Sequence, residues 1–280
     1  MVISLVLGLA CLPREGEKTP KKLALRPVIA LSIMFFAFIS ALSAEHLMTF
    51  ALLFIVGLVG AFLFVQFNRK ESLIDLGILK NHRFVALIFS LLVYQALLLG
   101  LSFVLPSFIQ VSAGFSSSVA GLFMFPGALI GAVLAPISGK VLDQIGARKP
   151  IATGLILAAL GLALLFVFLP TKSLALLLGA HIVLMLGLGI SYSNLMTCSL
   201  STLATDQLSD GNALVNTLQQ FIGAVATAVV ATTLSIFQGL NGFKVGTSHG
   251  TSIILALFFI LIIVSLIVSF PNLKKIRANH

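Results

Sequence analysis

Amide and hydroxyl side chains recur inside stretches of this sequence that are otherwise almost wholly apolar. A polar group in such a setting must find a partner, so each one carries information. Asn212, Asn216, Gln220, Gly223 and Thr227 fall on one helical face of 212–236, with Gln219 beside it. Tyr94 and Gln95 stand about ten residues into another run, about 15 Å deep at ~1.5 Å per residue. Ser191-Tyr192-Ser193-Asn194 forms a third polar patch. The chemistry open to these residues is hydrogen bonding. Two readings stand side by side: ties between helices, or the lining of a cavity that recognises a ligand. Phe103, Met124, Phe125 and Met196 could supply an apolar wall, whose contacts are undemanding in geometry. The candidate cavity set is Tyr94, Gln95, Phe103, Met124, Phe125, Tyr192, Asn194, Asn216, Gln219 and Gln220.

Covalent chemistry has no such support. There is no phosphate-binding loop, no His-Glu-x-x-His and no Gly-x-Ser-x-Gly. Cys11 and Cys198 lack metal-ligand spacing and read as small apolar filler. No catalytic residue, metal or cofactor is expected, and the chain is not expected to be an enzyme. The acidic residues are Glu15, Glu17, Glu45, Glu71, Asp75, Asp143, Asp206 and Asp210, all in loops or at the ends of apolar runs. Exchange of a proton for a cation inside a membrane normally needs an embedded carboxylate, and none is evident. His181 is expected to be a hydrogen-bonded structural residue rather than a proton carrier.

The elements that hold these residues follow from composition. Apolar types make up 59% of the 280 residues, charged types 9%, and mean hydropathy is +1.16. A soluble domain carries roughly 25% charge, so a soluble fold is excluded. Disorder is excluded as well, because there is ample apolar surface to bury. Apolar runs lie near 27–44, 47–67, 84–108, 119–138, 150–169, 174–200 and 250–270, with a more polar one at 212–236. Backbone satisfaction in lipid makes each a helix. The fold expected is therefore all-α, with eight membrane-spanning helices. Val2 to Leu12 is too short to span and is expected to be the end of a truncated helix.

The net charge of +9 reads as topogenic rather than as a nucleic-acid signal. Counted across eight spans, every basic residue except Lys172 and Lys244 falls on one side. That side is expected to be cytoplasmic, with the C-terminus inside. The loop 201–211 is an exception, with Asp206 and Asp210 and no base. The expected organisation is a helix end at 1–12, a basic linker at 13–26 and a helical pair at 27–67. A cytoplasmic linker at 68–83, a six-helix bundle at 84–270 and a basic tail at 271–280 complete it.

The most specific string is Gly139-Lys140-Val141-Leu142-Asp143-Gln144-Ile145-Gly146-Ala147-Arg148-Lys149. Gly139 would let helices approach closely and Gly146 would permit a tight turn. Asp143 would pair with Arg148 or cap the next helix. The string resembles the loop motif of the major facilitator superfamily, departing from it at Gln144, where a basic residue is usual. Pro106-Ser107-Phe108-Ile109-Gln110, Gly114-Phe115-Ser116, Ala120-Gly121-Leu122 and Pro126-Gly127 are similar to fourteen-helix drug:proton antiporters. So are the stretch from Gly211 to Ala224 and the linker from Leu73 to Phe84.

This resemblance implies that 84–270 is the C-terminal half of a transporter, that 27–67 is an extra central pair, and that the N-terminal half is missing. It also implies proton-coupled export of lipophilic or amphipathic compounds from a bacterial cell by alternating access. The partners would be small lipophilic molecules, protons, the bilayer and the missing half, with no nucleic acid. The alternative is a remnant that acts only as a helix-packing module or with a separately encoded front half. Proton coupling rests on the resemblance alone.

Overall fold

A peptide group in hydrocarbon has no water to bond, so a long apolar run closes its own hydrogen bonds as an α-helix. The computed structural model describes residues 24–44, 46–71 and 73–273. The expectations for 1–12, for nearly all of 13–26 and for the basic tail lie outside those residues, as do Cys11 and Glu45. Among the described residues eight helices are long and apolar enough to cross a membrane, and there is no strand. They are α1 (Leu25–Leu42), α2 (Leu47–Lys70), α3 (His82–Ser107), α4 (Ser117–Ile145), α5 (Arg148–Phe168), α6 (Leu174–Leu200), α7 (Leu208–Asn241) and α8 (Phe243–Asn272).

Several helices outrun the apolar stretches that mark them. α7 has 34 residues, about 51 Å at ~1.5 Å each, against a hydrocarbon core of ~30 Å. Its polar ends continue the helix into the interfacial zone. The connection expected over 237–249 is therefore almost entirely helical, and only Gly242, at φ 77°, separates α7 from α8. The sequence motif expected in a loop is likewise mostly helix. Gly139 to Ile145 complete α4, and the turn is Gly146-Ala147.

α3 is the axis of the bundle. Phe84, Leu87, Leu91, Tyr94, Leu97 and Leu101 are all fully buried, against α6, α7 and α8. A π-helical turn at Phe108–Ser112 follows Pro106. α5 packs most extensively on α6, and its seam is made of glycine. A Cβ at Gly187 would lie 2.5 Å from both the Ala158 nitrogen and the Gly154 carbonyl oxygen. One at Gly161 would lie 2.5 Å from the Leu184 nitrogen. α1 and α2 pack as a hairpin, with Gly60 against the Met34 backbone. α1 touches the bundle through α7: Phe35 stacks on Phe221 at 4.3 Å, and Thr232 donates to the Leu42 carbonyl at 2.9 Å.

Side chains at the linker close one end. Asn68 is buried; it donates to the Ile74 carbonyl at 2.8 Å and accepts from the Leu73 amide at 3.0 Å. Asn81 caps α3 by accepting from Arg83 and Phe84, and donates to the Thr202 carbonyl at 2.9 Å. The Asp210 carboxylate accepts the Asp75 amide at 3.0 Å. The base-free loop 201–211 thus has an occupation: its acid holds the linker. Arg26 and Glu71, 3.8 Å apart and exposed, add little. At the other end Lys172 donates to the Ser112 carbonyl at 3.0 Å. Its positive φ of 52° marks the tight turn between α5 and α6.

Candidate functional site

Three of the predicted residues form one hydrogen-bonded chain across three helices. The Gln219 amide on α7 donates to the Tyr192 hydroxyl on α6 at 2.7 Å, and that hydroxyl donates to Gln95 Oε1 on α3 at 2.7 Å. Gln219 is buried while Gln95 and Tyr192 are half-buried. The helix spacing that aligns them is simple. Gly223 lies one turn beyond Gln219, and a Cβ there would be 3.5 Å from Gln95 Nε2 and would press on Leu99. Glycine at 223 therefore lets α7 approach α3 at the level of the amides. The inner ends of the chain are spent on each other. Gln95 Nε2 and Gln219 Oε1 make no hydrogen bond among the described residues, which leaves one donor group and one acceptor.

The other predicted residues take different places. Tyr94 is fully buried, and its hydroxyl lies 2.7 Å from Ser191 Oγ, which also lies 2.7 Å from the Gly187 carbonyl. The serine has one proton and gives it to the carbonyl, so the phenol supplies the other bond. This pair ties α3 to the α5–α6 seam and does not line a cavity in this arrangement. Asn194 is buried and donates to the Ser138 carbonyl at 3.2 Å and to Ile190 at 2.9 Å, tying α6 to α4. Asn216 is exposed and bonds Asn212 one turn back, at 2.8 Å to its carbonyl. Gln220, Phe103 and Phe125 point out of the bundle, and Met124 is half-buried against the core. The face expected to hold Asn212, Asn216 and Gln220 together with Gln219 is therefore split. Gln219 and Gly223 turn inward, the other three outward.

A cavity of about 280 Å³ lies between α3, α7 and α8, lined by Phe89, Val93, Ala96, Ile222, Val230 and Phe258 among others. It is apolar throughout and includes none of the predicted residues. Among the described residues no three His, Cys, Asp or Glu side chains cluster as metal ligands.

At the loop motif, Gly146 has φ 77° and ψ 170°, a conformation open to glycine almost alone. Gly139 has no neighbour within 4 Å of where a Cβ would sit, so it serves no close approach within this bundle. Asp143 is exposed; among the described residues it makes no ion pair with Arg148, and α5 has no side-chain cap. The Arg148 guanidinium instead lies 4.4 Å over the Phe270 ring of α8, and Lys149 is exposed. Gly146→Val is expected to cost about 1–3 kcal/mol through backbone strain, whereas Gly139→Ala should leave stability unchanged. Thermal unfolding in mild detergent checks both. Equal melting points for the two variants would refute the assignment of the strain to Gly146.

Sequence reading missed three features of this region. The Tyr94–Ser191 tie and the buried Gly154–Gly187 contact each join residues of separate runs, which no local pattern marks. The expected hydrogen bond of His181 is absent: the ring is buried between α6 and α4, and neither nitrogen has a partner.

Comparison with known proteins agrees with this architecture. The family model of the Major Facilitator Superfamily matches residues 2–228. Lincomycin resistance protein LmrB of Listeria monocytogenes is 29% identical over 245 residues, 85% of this chain and 52% of its own length. The multidrug efflux pump LfrA of Mycolicibacterium smegmatis is 24% identical over 190 residues, 67% of this chain and 38% of its own. A multidrug resistance protein B homolog of Mycobacterium tuberculosis is 30% identical over 185 residues, 64% and 34% of the two chains. The chain thus spans about half the length of the Listeria relative. With eight membrane-competent helices and a family match across most of its length, this multi-pass membrane protein belongs to the major facilitator superfamily.

Proposed function

We propose that residues 84–270 form one of two lobes of a drug exporter, and that they rock against a second six-helix lobe around a cavity near the bilayer midplane. The observation that carries this reading is the Gln219–Tyr192–Gln95 chain, which joins three helices at half depth and leaves an amide donor and an amide acceptor unspent. Those groups suit an amphipathic ligand, with Phe103, Met124 and Phe125 available as apolar wall. The relatives named for lincomycin and multidrug resistance support small-molecule export. On this reading 27–67 is an accessory pair beside α7, proton flow drives export, and the second lobe completes the site. Asp143, outward-facing, is available to that lobe. The basic end of the bundle and the C-terminus face the cytoplasm of a bacterial cell, following the charge bias.

The test is uptake of a lipophilic cation into inverted vesicles, whose cytoplasmic face is outward so that export from the cell appears as uptake, with this chain produced together with a matching front lobe. Export should require both lobes and a proton gradient. Gln95→Ala should change the order of preferred substrates, since it removes the unspent donor. Gradient-driven export by this chain alone would overturn the two-lobe reading. An unchanged substrate profile in Gln95→Ala would remove the amide chain from the site.

A further inference from the structure

His181 is the one histidine buried in the interior of the described bundle. Its ring stacks on Phe123 of α4 at 5.4 Å and 28°. A Cβ at Gly127 would stand 2.6 Å from Nε2 and 2.7 Å from Met185 Cγ, so the ring fills the space that glycine leaves. Phe123, Gly127 and Met185 offer its nitrogens nothing to bond. A neutral imidazole carries one N–H donor and one acceptor, and leaving both unmade in the interior is destabilising. Phenylalanine or leucine would fill the site without that cost. A packing role alone does not account for the imidazole.

The wall facing His181 carries one of the two prolines inside α4. Pro126 has no N–H to give the Leu122 carbonyl, which removes one helical bond beside the ring. Gly127 follows directly and has no side chain to stiffen the turn. Leu122, Phe125 and Leu129 point outward, and Gly121 and Gly131 have no neighbour within 4 Å of a Cβ position. α4 is held chiefly from one side, by its packing on α6, and its outer face meets no neighbour, so a bend at Pro126–Gly127 that swung it outward would uncover the imidazole.

We propose that His181 is a proton-binding site gated by α4. With α4 straight the ring is neutral and sealed. With α4 bent, water enters, a hydronium ion gives its proton to one ring nitrogen and leaves as water, and the imidazolium returns the proton to water before α4 closes. No ionised group is placed to stabilise the cation in the sealed state. On α4 the charged groups are Lys140 and Asp143, on α5 Arg148 and Lys149, on α3 His82 and Arg83, and on α7 Asp210. All of these sit at the far end of the bundle. Tyr94 is bonded to Ser191, Tyr192 to Gln95 and Gln219, and Lys172 to Ser112; Cys198 lies near the far end of α6. Burying an uncompensated charge is costly, so protonation and bending favour one another, and the coupling is reciprocal. The proposal deepens the transport reading and rests on it for the use made of the proton. The binding itself does not depend on transport.

Hydrogen–deuterium exchange of the full chain in lipid nanodiscs tests the binding. Amides over 120–131 should lose protection at least tenfold between pH 8 and pH 5.5, after correction for intrinsic exchange, while those of α5 should not change. In His181→Gln and His181→Phe the protection of α4 should be the same at both pH values. Equal pH dependence in the wild type and in either variant that folds, or none in the wild type, overturns the proposal. Loss of the effect in the variants supports it even if the assembled lobes export nothing, an outcome that counts against the transport reading alone.

Discussion

Gly187→Leu is expected to lower the stability of the bundle by about 3 kcal/mol or more, beyond the usual cost of overpacking a core. The reason lies in what the new side chain meets. A Cβ at 187 would stand 2.5 Å from the Ala158 nitrogen, 2.5 Å from the Gly154 carbonyl oxygen and 3.1 Å from the Ala158 Cα. These are backbone atoms and cannot rotate away. The only relief is separation of α5 from α6, which also opens the contacts at Gly161 and Gly154. Helix association in a bilayer depends on close packing, because lipid is as apolar as leucine and supplies no hydrophobic drive. Separation would also remove Gly154 from the Ser191 side chain it packs against, and so loosen the serine that holds the Tyr94 hydroxyl on α3. The check is the midpoint of unfolding by sodium dodecyl sulfate in mild detergent, followed by circular dichroism. Gly179→Leu, where no neighbour lies within 4 Å, is the control and should match the wild type. A normal midpoint for Gly187→Leu would show that the seam is not close-packed.

The same contrast marks where sequence reading succeeds and where it stops. The eight helices were legible because each run of apolar residues is long enough to cross hydrocarbon, and composition alone carries that signal. Their ends were not, because α7 and α8 continue through Gln238, Asn241, Lys244 and His249, residues that a hydropathy rule assigns to a loop. Gly127, Gly131, Ala135 and Gly139 recur every four residues along α4, yet only Gly127 of these glycines meets a neighbour. Spacing shows that small residues share a face; it does not show what that face touches. The tight seam at Gly154, Gly161 and Gly187 joins separate runs, so no local pattern reveals it. For the site, Gln95, Tyr192 and Gln219 were legible as polar residues in apolar surroundings. Their partnership was not, since it depends on which way each helix is turned about its axis. That rotation also separates Gln219 from Gln220, adjacent in sequence, into a buried amide and an exposed one.

Tyr192→Phe isolates the energy of that partnership. One hydroxyl makes both bonds, accepting from Gln219 Nε2 and donating to Gln95 Oε1 at 2.7 Å each. Phenylalanine keeps the ring and its packing but leaves two amide groups without their partner. Unsatisfied groups cost about 1–3 kcal/mol each when buried; Gln219 is buried and Gln95 half-buried, so a total loss of about 2–4 kcal/mol is expected. Apolar replacement of all three residues, Gln95→Leu with Tyr192→Phe and Gln219→Leu, should recover most of that loss, because nothing polar is then stranded. The size of the recovery separates a connected network from two independent bonds, which would instead give losses that add. The same pair of variants divides stability from recognition. If the unspent ends of the chain bind the ligand, the triple variant should fold and yet bind a lipophilic cation at least tenfold more weakly than the wild type in a detergent-solubilised two-lobe assembly. Wild-type affinity in a folded triple variant would mean that the amides serve only to hold α3, α6 and α7 together, and that recognition lies with the apolar wall.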